Sequence, residues 1–168
     1  MHINFLIVLV AALVPMLMGF IWYNPKVLGN AWMKAAEVTQ EKMKGANMAV
    51  IFIMAFVFSF LLAFEMQFLV IHQFSVYSML NHYIDPANPN YSVDVVNYLK
   101  EMMDKYGNEF RTFKHGALHG TIAGFLIALP IMGTNALFER KGFKYIAINA
   151  GFWIINLALM GGIICAFP

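Results

Sequence analysis

Charge is scarce in this chain. Asp, Glu, Lys and Arg together supply 12% of its 168 residues, about half the roughly 25% of a soluble domain. That is too little polar cover for a water-soluble fold of this length. Cysteine occurs once, at Cys165, which excludes a disulfide framework within one chain. The net charge of +2 is too small to argue for nucleic acid, and the basic residues sit beside apolar runs rather than on one face, so no nucleic-acid partner is expected. Catalytic signatures are also missing. There is no glycine-rich phosphate loop, no pair of cysteines, no His-Glu-x-x-His helix and no nucleophile elbow, so nothing marks the chain as an enzyme or names a cofactor.

What the chain has is apolar length. Hydrophobic residues make up 61% of it, gathered into runs at about 3–23, 47–73, 116–138 and 145–167. Roughly twenty helical residues cross a hydrocarbon core of about 30 Å, so each run suits a membrane span. The expected fold is all-α: a single integral-membrane four-helix bundle over 1–168, with the lipid bilayer as its surroundings. The last two spans are joined by a short linker at 138–144 and must be antiparallel neighbours around which the rest is arranged. The first run lacks a basic segment before it and a small-residue cleavage site after it, so it reads as a retained span rather than a signal peptide.

The long connector at 75–114 separates spans two and three. Within it Ser92 is a credible N-cap, and Val95, Val96, Leu99, Met102, Met103 and Tyr106 recur at helical spacing before Gly107. This predicts an amphipathic helix that lies on the membrane, caps the bundle or meets a partner. Lysines and arginines set the orientation. The linker at 26–45 and the linker at 138–144 carry Lys26, Lys34, Lys42, Lys44, Arg140, Lys141 and Lys144, which predicts both linkers cytoplasmic, with the connector and both termini extracytoplasmic.

Four sets of residues stand out. Trp22, Tyr23 and Trp32 end the first span and follow it, as interface anchors do. Gly116, Gly120, Gly124 and Ala128 fall four apart and form one small-residue stripe for close helix packing, within the chain or with another copy. Asn149 and Asn156 lie seven apart on one face of span four and read as interhelical hydrogen-bond glue. The fourth set is Glu65, His72, His115 and His119. The last two are one turn apart, Glu65 and His72 are two turns apart on the preceding span, and all four belong near the outer boundary. Imidazole with carboxylate is a zinc or copper ligand set. The pattern fits an interfacial polar belt first and a metal site second. His2 and His82 also belong to the outer side. Pro15 and Pro130 lie inside spans one and three, where each removes a backbone donor.

Two stretches carry a family resemblance. Residues 19–32, with Trp22-Tyr23-Asn24-Pro25 at their centre, and Asn135-Ala136-Leu137-Phe138-Glu139-Arg140-Lys141, continued by Ile148-Asn149-Ala150-Gly151 and Met160-Gly161-Gly162, resemble the bacterial family catalogued as domain of unknown function 1761. The resemblance implies a small four-span protein of the bacterial inner membrane and brings no activity or functional residues. Beside that resemblance, the long connector looks like an elaboration on the usual family pattern. Three functional classes stay open, in this order: a structural or interaction component, as a homo-oligomer or an accessory subunit of an envelope complex; a small oligomeric transporter or channel; and a metal-binding or redox membrane protein.

Overall fold

The computed structural model describes residues 3–167, and they are all-α, without a strand. Four helices are long and apolar enough to cross a membrane: span one (Phe5–Trp22), span two (Met48–Val70), span three (Phe113–Phe138) and span four (Phe143–Ala166). Three of them begin on a polar side chain that accepts the first free backbone N–H groups. Asn4 Oδ1 accepts from Ile7 N and Asn47 Oδ1 from Val50 N, each at 3.2 Å, and Thr112 Oγ1 accepts from His115 N at the same distance. Thr112 explains why span three starts before the apolar run does: the cap lets a helix form through the polar turn that carries His115 and His119.

Span four is the hub. It is 61% buried over its most apolar stretch, against 22%, 11% and 17% for spans one to three. Its most extensive pairing is with span three, and it also meets spans one and two. Val8, Ala11, Ala12, Ala63, Met66, Leu157, Met160 and Ile164 form the core they share.

The crossing of spans three and four is close enough for backbone to meet backbone. A Cβ at Gly116 would run into the carbonyl of Gly161, and one at Gly120 into the carbonyl of Leu157. At Gly124 it would stand 2.7 Å from Ile154 Cα. Three of the four small residues of the stripe therefore serve a contact within the chain. Ala128 lies one turn beyond it, half-buried. Between Gly124 and Ala128 span three widens into a π turn, in which Leu129 N bonds back to the carbonyl of Gly124. Pro130 follows directly and has no N–H to give to Leu126, and the wider turn is where the helix absorbs that defect.

Helices outside the spans hold the aromatic residues and the connector in place. A short helix, Gly29–Ala36, folds back from the end of span one onto span four. In the connector, Gln73–Ile84 and Val93–Tyr106 pack on each other. The second is the expected amphipathic helix, with Leu99 buried, Ser92 accepting from Val95 N at 3.5 Å and Gly107 at its end. The first follows a break that has neither glycine nor proline. Span two stops at Val70, Ile71 is extended, and the chain resumes as helix at Gln73.

Candidate metal centre

The break at Ile71 decides where the histidines go. Ile71 is 4% exposed, so its side chain is fixed in the core while the backbone turns around it. Gln73 is anchored on the other side of the turn, its buried side chain donating to the carbonyl of Glu109 at 3.0 Å. His72, held between these two anchors, faces the first turns of span three. There His115 and His119 present their rings one helical turn apart. His72 Nε2 stands 2.9 Å from His115 Nε2, and the ring centroids lie 5.0 Å (His72 to His115), 4.9 Å (His72 to His119) and 4.5 Å (His115 to His119) apart. Phe110 lies against the His115 ring at 5.1 Å.

One nitrogen from each ring falls within 4.8 Å of the other two, and this is the group of three metal-ligating side chains found among the described residues. Zinc–nitrogen bonds of about 2.0–2.1 Å in tetrahedral geometry place ligand nitrogens about 3.3 Å apart. The triangle is therefore within a small ring rotation of a ligand set, and the hydrogen bond between His72 and His115 is the contact an ion would replace. His72 is exposed and the other two are half-buried. Three protein ligands are one fewer than a closed structural zinc site uses, so a fourth ligand would come from solvent or a bound molecule.

Glu65 takes no part in this group. The expectation that it shares a face with His72 assumed one continuous helix, and the break at Ile71 removes that relation. Glu65 instead faces a groove between spans two, three and four. His82 is engaged elsewhere, Nδ1 lying 3.0 Å from Asn88 Nδ2. His2 lies outside the described residues.

Arg111 stands beside the triangle in sequence but turns to span four, where Nε donates to the carbonyl of Cys165 at 2.9 Å. A cation there meets the negative end of the span-four dipole. Burial, offset in part by Cys165, lowers its guanidinium below the usual range. Cys165 is buried and its thiol lies near the carbonyls of Val70 (3.5 Å) and Phe110 (3.3 Å), tying the ends of spans two and four together. Neither role had a sequence signal.

The opposite end of the bundle joins two sets of residues that the sequence kept apart. Tyr23 OH and Trp32 Nε1 both donate to Asn149 Oδ1, at 3.1 and 3.2 Å, while Trp22 Nε1 donates to the carbonyl of Ile148 at 3.1 Å. Asn149 Nδ2 completes the set on the Tyr145 carbonyl at 2.8 Å. Asn156 is buried deeper in span four. Its Nδ2 donates to the carbonyl of Phe152 at 2.7 Å, and its Oδ1 has no partner among the described residues.

Four helices long and apolar enough to cross a membrane, with span four packed against the other three, define a small multi-pass membrane protein. The chain belongs to the family described as "Protein of unknown function (DUF1761)", whose model matches residues 6–165. No curated protein and no solved structure matches it.

Proposed function

We propose that the protein binds zinc or copper at the end of the bundle that carries the connector, with His72, His115 and His119 as ligands. The observation that supports this is the convergence of three imidazoles from segments 43 residues apart in sequence. A polar belt needs no such convergence, since each ring at an interface is satisfied by water. The reading moves ahead of the structural and transporter classes for a second reason. The glycine stripe that favoured contact between copies is already occupied by span four of the same chain, so it lends no support to an oligomer or to assembly with a larger complex.

Protein purified in non-ionic detergent without added metal is expected to carry about one zinc or copper ion per chain by elemental mass spectrometry. His115→Ala with His119→Ala is expected to lose it while the fold is retained. Absence of metal from the wild type, together with no uptake on titration with either ion, returns the histidines to the polar-belt reading.

The proposed setting is the bacterial inner membrane with both termini and the connector extracytoplasmic, which turns the histidine end outward. The basic residues of the two linkers support this orientation. The linkers also meet at one end, where Lys141 Nζ pairs with Glu37 at 2.9 Å and donates to the carbonyl of Ala36 at 3.1 Å. Single cysteines in a Cys165→Ser background test it. Lys42→Cys and Lys144→Cys, both at exposed positions, are expected to resist an impermeant maleimide in intact cells, and Asn90→Cys to react. The reverse labelling pattern inverts the topology.

A further inference from the structure

The groove beside Glu65 has the features of a ligand site of its own. It has a volume of about 340 Å³ and runs between Leu62 and Leu69 of span two, Ala123 and Ile127 of span three, and Trp153 of span four. That volume is at the lower end of the range for small-molecule pockets, about 300–1,000 Å³. The span-three lining continues from Ala123 to Met132, about 14 Å at 1.5 Å per residue.

Three features of the groove point to the same kind of occupant. Its walls are apolar, which suits an alkyl chain. Its wall on span three includes Ile127 and Ala128 of the π turn, where the widened helix sets its side chains off the regular register. Glu65 is the only carboxylate in the four spans, is exposed, and makes no hydrogen bond or ion pair with another described residue. A carboxylate within a span is costly unless an opposite charge or a donor meets it. Glu65 at the edge of the groove offers a counter-charge for a cation, and the apolar walls suit a hydrocarbon.

We infer that this groove binds a single-chain amphiphile with a protonated amino group, the ammonium on Glu65 and the alkyl chain laid along Ala123 to Met132 against Trp153. The inference stands apart from the metal reading, because the groove and the histidine triangle share no residue.

Equilibrium binding of radiolabelled dodecylamine to the full chain in a non-ionic maltoside detergent tests it, with dodecanol as the uncharged probe of the same length. A charge-assisted hydrogen bond predicts that the amine binds at least about tenfold tighter than the alcohol. Glu65→Gln is expected to remove that difference and leave dodecanol binding unchanged. Since Glu65 is exposed, this variant retains the fold, which an unchanged melting temperature verifies. Ala128→Phe, which fills the groove from the π turn, is expected to weaken both probes. Equal binding of amine and alcohol, or an amine preference that survives Glu65→Gln, overturns the inference and leaves a plain seat for lipid chains.

Discussion

Gly120→Leu is expected to prevent spans three and four from closing on each other. The new side chain would begin against the carbonyl of Leu157, and a backbone carbonyl inside a helix has no rotamer with which to move aside. Overpacking among side chains costs about 1–3 kcal/mol, and the cost here belongs at or above the top of that range. At about 2–4 °C per kcal/mol, the loss in melting temperature is on the order of 10 °C, with poor recovery from the membrane. Gly116→Leu, facing the carbonyl of Gly161, is expected to behave alike. Gly19→Leu is the control, because nothing lies within 4 Å of the position and the added side chain enters lipid. Equal yields and melting temperatures for Gly120→Leu and Gly19→Leu in detergent would mean that the crossing is looser than its geometry.

Asn149→Leu is expected to have the next largest effect, for an electrostatic rather than a steric reason. The branched shape is kept, but Tyr23 and Trp32 lose the single oxygen to which both donate. A donor left unsatisfied away from water costs about 1–3 kcal/mol, and two are left here. The tie between helix Gly29–Ala36 and span four should loosen, visible as a red shift of tryptophan emission and a lower melting temperature. Adding Tyr23→Phe to Asn149→Leu removes one stranded donor, so the double variant should be more stable than the sum of the two single losses. Strict additivity would show that the three residues do not act as a unit.

The spans were legible because a membrane crossing is written in length and apolarity, which need no tertiary information. The glycine stripe and the His115, His119 pair were legible because a spacing of four fixes a shared helical face. The triangle itself was not. It depends on Ile71 being extended, and neither Ile71 nor its neighbours is a residue that ends helices; the break comes from packing Ile71 into the core and tying Gln73 to Glu109. The same hidden break concealed helix Gln73–Ile84 and made Glu65 look like a partner of His72. Trp22, Tyr23 and Trp32 were legible as aromatic residues at and after the end of a span, but their acceptors, the Ile148 carbonyl for Trp22 and Asn149 Oδ1 for the other two, lie more than a hundred residues away and only the fold brings them there. Arg111 and Cys165 stayed invisible because both work on backbone carbonyls, which every residue has.

The position of His72 has a mechanical corollary. It is the residue immediately before helix Gln73–Ile84, whereas His115 and His119 are fixed on a membrane-spanning rod. The triangle therefore closes a loop of chain: through His72 and the Gln73 tie to Glu109, both ends of the connector are pinned at the point where spans two and three leave the bundle. Loss of the Gln73 side chain should then release the one ring of the three that span three does not carry.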